Sequence, residues 1–358
     1  MGSAAVDWSM GSRAAALIDW DTAHQAGRRL AGPGPQTAAA DRARLREDLA
    51  ELVPRAESLV SEFTRLRIDG PRSRPWVMSR GDWIGANLGG LQRLLEPLAR
   101  RLVPEGAPRS NLRRKTLGAQ IGGLLGYVSK KVLGQYDAFL PPDDEGLIYF
   151  VGPNVVEAER RFSLPPRDFR LWISLHESTH RLQFGATPWL RGYLQGRIDG
   201  YLGTVQVDTK QLLEQLRRAI DEIRAGTSPK GLNGVMLLLT PEQRELFKTM
   251  QAMMSLLEGH ASWVMNEVGT TTIPDLERMR RSLKQRRQVG GMEKTLQRAI
   301  GFDQKVRQYD AGEAFVRGVV ERVGVEGLNR VWEREEHLPT LDEIGQPERW
   351  IARISEGR

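Results

Sequence analysis

The chain has 358 residues, 40% of them hydrophobic and 27% charged, which suits a soluble globular protein of one large or two ordinary domains. It contains no cysteine, which excludes disulfides, thiolate metal sites and cysteine nucleophiles together; any zinc must be held by His, Asp or Glu. The net charge of +7 is carried mainly by arginine, and its densest run (Arg278, Arg280, Arg281, Lys284, Arg286, Arg287) has no interleaved aromatic residues and reads as a solvated helix face, so no nucleic-acid partner is expected.

The opening Met1-Gly-Ser-Ala-Ala-Val6 has no basic segment followed by an apolar core, and Val6 stands where a myristoylation signal needs Ser or Thr. The longest apolar run, Val235 to Leu239, is too short to span a bilayer. These features predict a cytoplasmic protein without a membrane partner. From Val6 to Leu30 the pattern is helical, with Trp8, Leu17, Trp20 and Leu30 as packing positions, and Gly32-Pro-Gly-Pro35 ends it. His24 has no partner at ligand spacing and is structural. Thr37 to Leu66 repeats apolar residues with a period near 3.6 (Leu45, Leu49, Leu52, Val53, Leu59, Val60, Phe63), and Pro54 is expected to kink or split that helix.

Arg72 to Met78, bounded by Pro71 and containing Pro75, is restricted to an edge strand or loop. Asp82 to Val103 is an amphipathic helix. Leu117 to Leu133 carries Gly118, Gly122, Gly123 and Gly126 in a helical pattern; without a P-loop motif, these glycines predict close helix packing. Leu147 to Val151, between Gly146 and Gly152-Pro153, is the clearest strand. It is either an edge on which an extended peptide lies or a structural hairpin beneath the following helix.

That helix, Asp168 to Phe184, holds His176-Glu177-Ser-Thr-His180 in an amphipathic run without Gly or Pro. Residues four apart share a helix face, so His176 and His180 can present two imidazoles to one Zn²⁺ ion. Glu177, about 100° round the helix, can face a metal-activated water and act as general base. Thr187-Pro-Trp-Leu190 turns the chain, Tyr193 to Ile223 is helical, and Ser228 to Gly234 is a loop. Pro241 to Asn266 is strongly helical and carries Glu258-Gly259-His260.

Two histidines need a third ligand. Glu258 lies in an apolar helix where an unsatisfied carboxylate is costly, and a His-His-Glu set is a known zinc arrangement. Gly259 beside it would allow a second helix to approach. His260 is the competing ligand, but about 200° of helix separates the two side chains, so they do not both bind one ion. Where thermolysin-like sequences place an aspartate four residues after the glutamate ligand, this chain has Ser262, so the groups orienting the ligands must be built differently. Tyr309, with Arg307 as the alternative, can stabilise a developing oxyanion, or either can serve packing alone. Near the C-terminus, Trp350 is expected to pin the tail to the body, and His337, before Leu338-Pro-Thr340, to be exposed with no metal role.

These pieces, with Arg80-Gly-Asp-Trp83-Ile, Ala86-Asn87, Ile148-Tyr-Phe-Val, Pro153-Asn154, Pro188-Trp-Leu190 and Gln308-Tyr309, resemble a largely actinobacterial family of zincin-like zinc metalloproteases. One branch of that family is associated with biosynthesis of the deazaflavin coenzyme. The resemblance implies a mainly α (α+β) zincin-like architecture with a small β-sheet near the metal helix, and zinc on His176, His180 and Glu258. The expected organisation is a helical N-terminal region over 1–140 and a metal-binding region over 141–358, packed as one integrated unit. The expected function is gluzincin-like hydrolysis of an amide bond, in a peptide or other amide substrate. A zinc-binding protein that has lost an accessible site is the alternative.

Overall fold

The computed structural model describes residues 13–103, 110–138, 146–204, 239–286 and 302–356, with side chains outside the description at 102, 283–286 and 302–309. The chain divides into two compact units, Met1–Ala186 with Val264–Gln288, and Thr187–Trp263 with Val289–Arg358.

In the first unit a 3-10 turn, Arg13–Ala16, precedes helix α1 (Trp20–Ala31). The helical run expected from Val6 is therefore interrupted. Asp19 restarts it by accepting a hydrogen bond from the Thr22 amide, one of the first-turn donors that lack an intrahelical partner. Burial pushes the Asp19 carboxyl upward, but the Thr22 hydrogen bonds and the nearby Arg114 outweigh it and hold the group below the usual carboxylate range. Leu30, expected to pack, is 48% exposed. Helix α2 (Ala39–Thr64) runs unbroken through Pro54. Leu45, Leu49, Leu52, Val53, Ala56 and Val60 are buried on both sides of that proline, so packing keeps as one helix what the missing amide alone would divide.

Strand β1 (Arg74–Met78) leads into α3 (Arg80–Leu102), which a reciprocal capping box between Ser79 and Asp82 opens. Helix α4 (Asn111–Val128) packs against α1 through Gly118, Gly122 and Gly126, whereas a Cβ on Gly123, also expected there, would meet nothing within 4 Å. A Cβ on Gly122 would lie 2.7 Å from the Ala23 carbonyl carbon and 2.9 Å from its Cα, so only hydrogen fits there. Strands β2 (Gly134–Tyr136) and β3 (Leu147–Val151) complete a sheet of order β1-β3-β2. β1 is parallel to β3 and β2 antiparallel, with Met78 opposite Val151 and Tyr136 opposite Ile148. Arg74–Met78 is thus the edge strand that its prolines predict. Leu147–Val151 is not an edge: it is the central strand, buried at all five residues, and its hydrogen-bonding edges are taken by β1 and β2. The peptide-binding role weighed for it is corrected on that ground, and β2, which the sequence reading did not identify, holds the other edge.

Helix α5 (Gly152–Arg161) follows β3 directly, and α6 (Pro166–Gly185) packs on α2, α5 and β2. The α6 residue Arg170, 5% exposed, donates to both Glu159 oxygens at 2.7 and 2.8 Å and to Asp48 at 2.6 Å, which allows this charge to be buried in the layer between helices.

The second unit begins with α7 (Pro188–Gly203), whose first turn takes up the residues expected to form only a turn. The helix expected from Tyr193 to Ile223 extends past the described residues, which stop at 204, and the expected Ser228 to Gly234 loop lies outside them. Helix α8 (Pro241–Thr272) is continuous, its first part in the second unit and its end, from Val264, in the first. Helix α9 (Leu276–Arg286) bears the start of the basic run. Arg278 and Arg281 are exposed on it, and Arg280 pairs with Glu277 one turn away.

Helix α10 (Phe302–Asn329) contains a break at Gly324, where φ is 71°. It meets α8 where Gly259 faces Gly312: a Cβ on Gly259 would lie 2.5 Å from the Glu313 amide nitrogen. The expected close approach beside Glu258 is there. Two short 3-10 turns, α11 (Leu341–Ile344) and α12 (Pro347–Glu356) close the chain. Trp350, 1% exposed, packs edge-on to Phe315 and donates from Nε1 to the His337 carbonyl at 2.7 Å, pinning the tail as expected. His337 itself is 4% exposed, contrary to expectation. Its Nδ1 donates to the Arg330 carbonyl at 2.7 Å and its Nε2 accepts from Arg334 at 2.7 Å, so both ring nitrogens are satisfied inside the fold.

Candidate metal centre

Helix α6 places His176 and His180 one turn apart with ring centroids 4.7 Å apart and planes at 88°. Their Nε2 atoms face each other at 3.2 Å. Two zinc–nitrogen bonds of about 2.05 Å at a tetrahedral angle put their nitrogens about 3.3 Å apart, so this pair has the spacing that one zinc ion requires. His180 Nδ1 lies 2.9 Å from the side-chain oxygen of Gln183, which is fully buried. An amide oxygen only accepts, so the ring proton sits on Nδ1 and the Nε2 lone pair is directed at the proposed ion.

His176, His180 and Glu258, all half-buried, can each offer one ligand atom to a metal ion; the two histidines belong to the first unit and Glu258 to the second. Among the described residues this is the group of histidines and carboxylates that could hold a metal ion. His260 is not in it. That side chain is 1% exposed and packs between Trp263 and Trp332, at ring distances of 6.1 and 5.3 Å. The two side chains diverge as a two-residue step on a helix requires. His24 and His337 also lie outside the group.

Glu177 is 7% exposed and points at β2. Its Oε2 accepts a 2.9 Å hydrogen bond from the Tyr136 amide, and a Cβ on Gly134 would stand 2.8 Å from its Cγ and Oε1. The carboxylate is thus seated against the backbone of a strand edge. Tyr309 and Arg307 belong to α10, and their side chains lie outside the described residues.

The sequence reading missed three of these participants. Gln183 left a signal, since it follows His180 by three residues on a shared helix face. Gly134 and Tyr136 left none: three residues, Gly-Gln-Tyr, are too few to show a strand period.

A mainly helical protein with a small sheet, whose buried helix carries His-Glu-x-x-His, is of the zincin-like class. The zincin-like metallopeptidase family matches residues 18–351, and the chain belongs to that family. It is also similar to a candidate hydrolase with a novel fold from Chloroflexus aurantiacus, known from a crystal structure, at 36% identity and a TM-score of 0.70, over 95% of this chain and 99% of the other. No curated protein matches the chain. Membership implies zinc binding and supports a hydrolase. No helix among the described residues is long and apolar enough to cross a membrane.

Proposed function

We propose that the protein is a zinc-dependent hydrolase of amide bonds in peptides, with His176, His180 and Glu258 as ligands and Glu177 as general base. The observation that carries this reading is the 3.2 Å separation of the two Nε2 atoms on one face of α6. Zinc, when bound, supplies a Lewis acid and a water acidic enough to lose its proton near neutral pH.

Glu177 takes the proton and passes it to the leaving nitrogen; the Tyr136 amide holds its carboxylate in the orientation for both transfers. Gln183 keeps His180 in the liganding tautomer. Tyr309 is assigned to the oxyanion that develops at the scissile carbonyl. An extended peptide backbone would lie beside β2, next to Glu177, in place of the central strand first considered. A cytoplasmic setting without nucleic-acid or membrane partners belongs to the same reading. The actinobacterial branch and its deazaflavin association rest on the sequence resemblance alone.

The test is metal content of the purified chain together with cleavage of a mixed peptide library. About one zinc per chain is expected in the wild type and in Glu177→Gln, with little in His176→Ala or Glu258→Ala, and cleavage in the wild type alone. Zinc without cleavage in any library would leave a metal-binding scaffold. Absence of zinc after reconstitution would overturn the hydrolase reading altogether.

A further inference from the structure

Strand β2 has three residues and, among the described residues, pairs with β3, so its own ladder fixes it weakly. Yet it supplies both groups that seat Glu177, the Tyr136 amide and the bare backbone at Gly134. Something else must hold the strand to the precision that a general base needs.

Successive side chains of a strand point to opposite faces, so Gln135 projects away from the face that Gly134 and Tyr136 present to α6. On that far face its carboxamide is locked. Trp83 Nε1 donates to Gln135 Oε1 at 2.7 Å, Asn87 Nδ2 donates to the same oxygen at 3.4 Å, and Gln135 Nε2 donates to Asn87 Oδ1 at 3.2 Å. Asn87 is itself tied to the Trp83 carbonyl at 2.9 Å. Trp83 is 3% exposed, so the lock is anchored in the packed core.

The segment entering β2 is held in the same manner. Asn154, 4% exposed, donates to the carbonyls of Ser129 and Val132 at 2.7 and 2.6 Å, and Arg80 Nε fixes its oxygen at 2.7 Å. Two side-chain amides therefore hold 129–136, Gln135 from the face opposite Glu177.

We infer that Gln135, locked by Trp83 and Asn87, is a positioning residue for Glu177, acting through the Tyr136 amide and Gly134. The role rests on Glu177 being the general base; the grip on β2 does not. The mechanism is steric and directional. If the Gln135 lock is lost, β2 shifts relative to α6, the Tyr136 hydrogen bond lengthens, and the carboxylate is no longer held in one orientation beside Gly134.

The experiment measures amide hydrogen exchange at Tyr136, with the strand β1 amides as the reference, in full-length wild type, Gln135→Ala, Gln135→Glu and Glu177→Ala. Zinc content and the pH midpoint of the visible spectrum of the cobalt(II)-loaded chain are read on the same samples. Glu177→Ala calibrates the signal by removing the acceptor. Gln135→Ala is expected to speed Tyr136 exchange at least about tenfold with little change in β1. Gln135→Glu, which keeps an acceptor for Trp83, should recover most of the protection. The cobalt midpoint of Gln135→Ala should move in the direction taken by Glu177→Ala, with metal content unchanged.

Tyr136 exchange within twofold of wild type in Gln135→Ala overturns the inference, and so does an equal rise in β1, which marks general loosening of the sheet. A wild-type chain that takes up no metal sinks the hydrolase reading but leaves the exchange comparison intact, so the two failures are distinguishable.

Discussion

Gly122 and Gly123 are neighbours on α4 with opposite surroundings, which makes them a matched pair. A Cβ on Gly122 meets the Ala23 carbonyl carbon at 2.7 Å, whereas a Cβ on Gly123 meets nothing within 4 Å. Restoring ordinary contact of about 3.4 Å at Gly122 requires the α1 and α4 backbones to part by about 0.7 Å, and more at the carbonyl oxygen. Overpacking costs about 1–3 kcal/mol, and because both partners here are backbone, without rotamers to relax into, Gly122→Ala should cost about 3 kcal/mol. For a cooperative unit of about 200 residues that lowers Tm by about 6–12 °C. Gly123→Ala exchanges a poor helix former for the best at no steric cost and should raise stability by about 0.5–1 kcal/mol. Urea denaturation followed by far-UV circular dichroism, with thermal melts on the same variants, reads both. Equal midpoints for the two variants, or a Gly122→Ala midpoint at the wild-type value, would refute the backbone-contact argument.

Gln183→Ala removes the acceptor that sets the His180 tautomer; zinc affinity, measured below the onset of unfolding, should fall about 10–100-fold in competition with a chelating dye. Glu159→Ala leaves the Arg170 guanidinium buried with Asp48 as its remaining partner and should cost about 3–5 kcal/mol in urea, far more than removing the exposed Glu277 from its pair with Arg280. For Glu343, burial pushes the carboxyl up, but Arg353 and Thr340 hydrogen bonds outweigh it and hold the group below its usual value of 4.5. A depressed acid stabilises the fold above its unfolded pKa and loses that stabilisation as pH falls through the folded one. Denaturation midpoints of wild type and Arg353→Ala should therefore differ at pH 7 and converge as pH drops well below 4.5. Convergence on raising the pH instead would contradict the assignment.

What could be read in the sequence is what local spacing encodes. The His-Glu-x-x-His helix, the glycine face of α4 and the apolar period of α2 each show within one or two helical turns, and each element is there. What could not be read depends on partners far along the chain. Tyr136 meets Glu177 across 41 residues, and Asn154 reaches back 25 residues to Ser129. His337 looked exposed because a polar residue before Leu-Pro gives no hint that Trp350 and two arginines will enclose it. Leu147–Val151 was legible as a strand but not as the central one, because its five apolar residues suit a buried strand in either position.

That central strand also constrains how the chain can fold. β1 must cross about 70 residues of sequence to pair with β3, whereas β2 lies only about a dozen residues away. The parallel half of the sheet therefore waits for a long loop to close, a step that slows folding as contact separation grows. Until it closes, Leu-Ile-Tyr-Phe-Val is an uncharged, β-prone run of five with an open edge, the composition that nucleates cross-β association. Helix α2, formed early from contacts within its own turns, has Arg181 and Arg167 of α6 paired to Glu57 and Glu51, so charge can draw the helices together before the sheet is complete. Refolding at low concentration is therefore expected to recover more native chain than refolding at high concentration, since one edge of this apolar strand waits for the distant β1.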